Sequence, residues 1–184
     1  MMNESKKFST KTIAVIAVIT AVTCILAPFS IPIGPVPISL TNLVIYLGLY
    51  ILGTKNGTIS YCIYLLIGLV GVPVFSSFTA GPGKLFGPTG GYLIGFIPMA
   101  IIAGICIEKF ERKIVPGMIG MIVGTAVCYA LGTVWLAYQA HMTFWQALMA
   151  GVIPFIIEDL IKMIIAALVG PAIHKALVKA HVLD

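Results

Sequence analysis

The stretch VIPFIIEDLIKMIIAALVGPAI, residues 152–173, decides the reading of the chain. It is long and apolar enough to cross a bilayer, which takes about 20 mostly apolar residues, yet it holds Asp159 and Lys162 near its middle. A charge at such a position costs about 2.5–3.5 kcal/mol on insertion scales unless it is paired or hydrated. The two residues are three apart, so they share one helix face and can neutralise each other. The pair therefore faces the protein interior and offers an acceptor and a donor to one cavity. A salt bridge that only locks the bundle is the plainer alternative. Glu158 points about 100° away around the helix, toward another polar site or snorkelling outward, and is not counted among the site residues.

Working outward, the other segments are as apolar as this one. Of 184 residues, 60% are hydrophobic and 9% charged, against about a quarter charged in soluble domains. The sequence predicts an all-α integral membrane protein, a single membrane domain over residues 1–184, with helices near 12–27, 40–53, 58–72, 91–107, 116–138 and 152–173. Six spans and short loops consume the chain and leave no room for a soluble catalytic domain. The segment 139–150 reads as an interfacial helix or a loop.

Charge sets the orientation. Cytoplasmic loops carry the excess of Lys and Arg. With the N-terminus inside, the inner segments hold Lys6, Lys7, Lys11, Lys55, Lys109, Arg112, Lys113, Lys175 and Lys179, and the outer segments hold Lys84 alone. Both termini are thus expected in the cytoplasm, and Asp159 lies roughly 10 Å in from the outer face at 1.5 Å per residue. The net charge of +5 is spread over helix ends rather than gathered into a nucleic-acid patch.

Two irregular segments frame the charged pair. PFSIPIGPVPIS, residues 28–39, has four prolines and no helical continuity, which a membrane tolerates where the backbone packs in protein or lines a cavity. It reads as a loop folded over a site, with Pro35, Pro37 and Ile38 as the lid. GKLFGPTGGYLIGF, residues 83–96, starts a helix after a glycine-rich turn. Thr89, Gly90, Gly91 and Tyr92 there are candidate ligand contacts, because the glycines admit close approach and a helix start offers free amides to an anionic group. Small residues four apart mark helix seams: Gly120 and Gly124, Gly91 and Gly95, Ala17 and Ala21.

Other chemistries find no support. Lys84 is followed by Leu85, not by the Ser or Thr of a phosphate-binding loop, and there is no His-Glu-x-x-His, Gly-x-Ser-x-Gly or clustered acidic pair. Cys24, Cys62, Cys106 and Cys128 lie singly in different segments and read as buried thiols. No catalytic residue, metal ligand or resident cofactor is expected.

PVPISL (35–40), YLLIGLVGVPVF (64–75), GPTGGYLIGF (87–96) and the final Asp159-x-x-Lys162 together resemble the BioY family, the biotin-specific S components of energy-coupling-factor (ECF) transporters. The resemblance implies a six-helix bundle of the S-component type in the bacterial plasma membrane. It implies that the protein binds biotin from outside, with a transmembrane coupling subunit and two ATPases as partners that use ATP. It further implies that Ala17 and Ala21 lie on the face docking the coupling subunit. Many members continue the proline-rich segment with Gln where this chain has Thr41, which leaves the roles of Thr41 and the ligand candidate Asn42 open. Asp159 suits the ureido N–H groups of biotin and Lys162 its carbonyl; the opposite pose, with Lys162 on the carboxylate, is the alternative. A self-sufficient homo-oligomeric carrier and a small intramembrane enzyme using Asp159 as a base are competing functions.

Overall fold

The computed structural model describes residues 9–183; Lys6 and Lys7, assigned above to the inner side, lie outside the described residues. Its long helices are α1 (Thr10–Leu26), α2 (Thr41–Leu69), α4 (Gly90–Lys109), α5 (Ile114–Gln139) and α7 (Ile156–Lys179), with short helices α3 (Pro82–Leu85) and α6 (Phe144–Gly151). The chain is mostly helical rather than wholly so. Strands β1 (Ser30–Ile33) and β2 (Val36–Ser39) pair antiparallel, Ile33 opposite Val36 and Ser30 opposite Ser39. The segment expected as an irregular lid loop is therefore a β-hairpin. Its two-residue turn is Gly34-Pro35, with Gly34 at φ +69°, the arrangement in which glycine leads and the backbone twist matches that of the strands. Pro32 and Pro37 sit opposite each other and donate nothing, which a two-stranded ribbon accommodates at its edges.

α2 is a helical hairpin in one hydrogen-bonded run. Gly53 takes φ 78° and ψ −177°, a region open essentially to glycine alone, and there the chain reverses. A Cβ on Gly57 would lie 3.3 Å from the Gly48 carbonyl, whereas nine residues of straight helix span about 13 Å. The turn expected at Lys55, Asn56 and Gly57 is thus displaced to Gly53, and residues 54–57 are already helical. The ends this break exposes are capped by neighbours. Arg112 Nε donates to the Tyr50 carbonyl (2.8 Å) and His174 Nδ1 lies 3.0 Å from the Ile51 carbonyl. The Thr54 hydroxyl donates to the Glu108 carboxylate. The Arg112 cation and the His174 ring thus meet the carboxyl end of one limb and an anion meets the amino end of the next, and helix dipoles favour both charges. The space a Gly53 Cβ would need is filled by Glu108. Gly53→Ala is expected to cost about 1–3 kcal/mol from backbone strain alone and to lower the thermal unfolding midpoint in detergent; a parent-like midpoint contradicts the reversal at Gly53.

The remaining packing follows small residues. α4 packs most extensively on α5, and α2 packs on α4, α7 and α1. At the α4–α5 seam Gly95 faces Cys128, and a Cβ on Gly124 would lie 2.8 Å from the Met99 carbonyl, which is close backbone approach of the kind membrane helices use. α4 and α5 are long and apolar enough to cross a membrane by length and composition, and α1 is a shorter apolar helix. α7 is a continuous helix whose apolar run is interrupted by Glu158, Asp159, Lys162, Lys175 and Lys179. Residues 139–150 yield α6, begun by a capping box in which the Thr143 hydroxyl accepts from the Gln146 amide and the Gln146 side chain accepts from the Thr143 amide.

Two ends result. Lys11 Nζ donates to the His181 carbonyl (2.6 Å), so the start of α1 and the end of the chain adjoin, and with the Gly53 turn and Arg112 they form a basic end. The β-hairpin, α3, α6 and the start of α7 gather at the other.

Candidate functional site

α7 starts after a single 3-10 turn, Ile153–Phe155, so Glu158, Asp159 and Lys162 fall in its first two turns. Their neighbours come from three other elements. Asn42, in the first turn of α2, donates through Nδ2 to Asp159 Oδ1 (2.5 Å) and accepts through Oδ1 from Lys162 Nζ (2.9 Å) and from the Leu43 amide (3.1 Å). Only one orientation of the amide satisfies all three. From α5 the Tyr129 hydroxyl donates to Asp159 Oδ2 (2.5 Å). From β2 the Ser39 carbonyl accepts from Lys162 Nζ (2.6 Å). Asp159 and Lys162 are both 6% exposed, so this network, not water, stabilises their charges.

The ion pairing differs from the expected one. Lys162 Nζ lies 2.6 Å from Glu158 Oε2 and 3.4 Å from Asp159 Oδ1. Glu158 is thus the nearer partner, not a bystander. The i, i+4 spacing with Glu on the amino side is the favoured helix ion pair, and a long side chain covers the 100° offset with ease.

The network opens into a cleft whose empty space, continuous with the outside, is about 390 Å³. Val36, Pro37 and Ser39 of the hairpin form one wall, Tyr92 and Phe96 of α4 another, and Phe155 and Gly151 close it beside α7. A second cleft of about 400 Å³ shares Val36, Pro37, Ser39, Tyr92 and Phe96 and continues past Thr41, Tyr64, Ser76 and Thr89. The hairpin roof is held to the next loop. Ser30 and Ser77 hydroxyls are 3.0 Å apart, the Ser77 amide donates to Ser30 Oγ (2.9 Å), and Phe29 meets Phe78 edge-on at 5.3 Å.

The structure brings Asp159, Lys162 and Asn42 together, with Pro37, Tyr92 and Thr89 along the clefts. Pro35 lies at the hairpin tip and Ile38 in β2; neither lines these clefts. Gly90 and Gly91 have a different use. A Cβ at Gly90 would meet the Leu85 carbonyl and one at Gly91 the Trp135 side chain, so these glycines admit protein neighbours. The Gly90 and Tyr92 amides are already donated to Gly87 and Thr89 carbonyls (3.0 and 3.2 Å). Lys84 lies in the last turn of α3, outside both clefts, and burial pulls its ammonium below the usual lysine range. Tyr129 escaped the sequence reading, because a tyrosine in an apolar helix carries no cost that singles it out; its spacing of four from Thr125, another hydroxyl on the same face, is the usable signal. Ala17 and Ala21 are exposed on α1 beside an apolar groove of about 570 Å³ between α1 and the second limb of α2.

Comparison with known proteins matches this arrangement to one family. The family model described as BioY family covers residues 2–179. A biotin transporter BioY of Thermotoga maritima is 39% identical over 161 residues, 86% of this chain and 92% of the relative. Biotin transporter BioY2 of Lactococcus lactis subsp. cremoris is 36% identical over 176 residues, 96% and 95% of the two chains. Among solved structures, the S-component for biotin from an ECF-type ABC transporter superposes with a TM-score of 0.84 at 30% identity, covering 95% of each chain. These relatives are transporters, not enzymes. On the family match and on the extent of both relatives, the chain belongs to the BioY family.

Proposed function

We propose that this chain is the biotin-binding S component of an ECF-type ABC importer in a bacterial plasma membrane. Residues 1–184 form one membrane domain that crosses the bilayer six times, the two limbs of α2 counting separately, with both termini in the cytoplasm. The basic end then faces the cytoplasm, in keeping with the positive-inside rule, and the clefts open outward. Biotin enters from outside beneath the hairpin and is passed inward with a transmembrane coupling subunit and two ATPases. ATP is used by those partners, and no cofactor resides in this chain. Ala17 and Ala21, exposed beside the groove on α1, form the face that meets the coupling subunit.

The observation that carries the reading is the network of buried Asp159, Lys162 and Asn42 with half-buried Glu158 and Tyr129 at the floor of the outer cleft. Asp159 still has lone pairs to offer to ureido N–H groups, while Phe96, Tyr92 and Phe155 suit a thioether ring and an aliphatic chain. Uptake of labelled biotin by cells that express this chain with and without the coupling subunit and ATPases tests the division of labour. Accumulation against a gradient is expected only with the partners. Equal uptake by the chain alone would make it a self-sufficient carrier.

A further inference from the structure

Donors and acceptors in the cleft do not balance. An ammonium has three N–H groups, and Lys162 Nζ already has four acceptors: Glu158 Oε2 at 2.6 Å, Ser39 O at 2.6 Å, Asn42 Oδ1 at 2.9 Å and Asp159 Oδ1 at 3.4 Å. Asn42 is used on both side-chain atoms, and the Tyr129 hydroxyl gives its proton to Asp159. What remains is acceptor capacity. Each carboxylate offers about four lone-pair sites, and Glu158 Oε1 has no partner among the described residues. Charge is unbalanced in the same sense, with two carboxylates against one ammonium. The groups facing them from β2, α2, α4 and α5, namely Ser39, Asn42, Tyr92, Cys128 and Tyr129, are an amide, hydroxyls and a thiol; no second Lys, Arg or His lines this cleft among the described residues.

We propose that Glu158 is a specificity-determining residue: with Asp159 it forms an acceptor pair for the two N–H groups of the ligand's head, while Lys162 is a positioning residue that stays on protein acceptors. This rests on the biotin reading above and deepens it. The neutral ureido head enters the floor of the cleft, and the ligand's carboxylate is kept away from a site that already carries an excess negative charge. A cyclic guanidinium should then be accepted in place of the cyclic urea. A site that donated a hydrogen bond to the urea oxygen would reject the same group, because the protonated imine has no lone pair there to receive it.

The probe is 2-iminobiotin, whose head is a guanidinium at neutral pH. It is set in competition with labelled biotin on the purified full chain, on Glu158→Gln and on Glu158→Asp. For the parent, 2-iminobiotin is expected to compete within about tenfold of biotin. In Glu158→Gln the ratio of its affinity to that of biotin should fall by about tenfold, the difference between a charge-assisted and a neutral acceptor, and Glu158→Asp should restore part of it. A purely structural loss would weaken both ligands alike and leave the ratio unchanged. Failure of 2-iminobiotin to compete at neutral pH, or an unchanged ratio in Glu158→Gln, overturns this assignment while the biotin reading stands. Absence of biotin binding by the parent overturns both.

Discussion

Asp159→Asn is expected to weaken biotin binding by about a hundredfold while leaving the chain folded. The substitution keeps the shape of the side chain and removes its charge. Asp159 now accepts from Asn42, Tyr129 and Lys162. With Asn, one of its two terminal atoms becomes a donor, and it must face either the Asn42 amide group or the Tyr129 hydroxyl. The hydroxyl can turn to accept, so the fold tolerates the change. The ligand cannot adapt in the same way, because its ureido nitrogens only donate. Each hydrogen bond to a charged group contributes about 1.5–3 kcal/mol, and 1.4 kcal/mol is a factor of ten. Equilibrium binding of labelled biotin, read beside thermal unfolding of the same preparation, separates the two effects. Parent-like affinity in Asp159→Asn contradicts the placement of the ligand head.

Lys162→Met should act on the fold as well as on binding. Removing the ammonium leaves buried Asp159 and half-buried Glu158 as neighbours of like charge, and leaves the Ser39 carbonyl and Asn42 Oδ1 without their donor. Breaking a buried pair by deleting one partner costs about 3–5 kcal/mol, so the unfolding midpoint should fall by several degrees or more. The hairpin is tethered through Ser39, so its edge of the cleft should loosen too. The double variant Glu158→Met with Lys162→Met removes the repulsion between the two carboxylates and should recover only part of the stability, since Asp159 stays buried without its cation. It should not recover binding. Equal midpoints for the parent and Lys162→Met would show that the ammonium does not hold the network together.

The sequence made the charged pair legible for a simple reason: in an apolar helix a charge is costly, and the cost points inward. It said less about which partner each charge takes. Helix geometry placed Glu158 on another face, but the reach of the Glu and Lys side chains closes that angle, and Glu158 lies nearer to Lys162 than Asp159 does. Tyr129 and the second role of Asn42 were invisible because neither residue is expensive where it stands. Their value comes from tertiary placement, α5 and the start of α2 converging on α7. The four prolines of residues 28–39 correctly argued against a helix yet hid the strand pairing. In a ribbon of two strands the outer edges need no donors, so Pro32 and Pro37 are compatible with β1 and β2, and Gly34-Pro35 is a turn signal in its own right.

The glycines teach a similar lesson. Gly90 and Gly91 could serve a ligand or a neighbouring helix equally well on sequence grounds. The structure puts Leu85 and Trp135 against them, so both glycines serve packing, and the Gly90 and Tyr92 amides are donated within the turn. Gly53 is the opposite case. Nothing in its local sequence marks a sharp reversal, and the turn was expected at the polar residues that follow. The position is set by Glu108, Arg112 and His174, which come from distant parts of the chain and cap both exposed helix ends.

The most direct measurement is equilibrium binding of labelled biotin to the purified chain in lipid nanodiscs, with no coupling subunit and no ATPase present. Saturable binding of one biotin per chain, released chemically unchanged and strongly weakened in Asp159→Asn, is the expected result. No saturable binding by the chain alone, or recovery of altered biotin, would contradict a binding subunit whose site is built entirely from Glu158, Asp159, Lys162 and their neighbours.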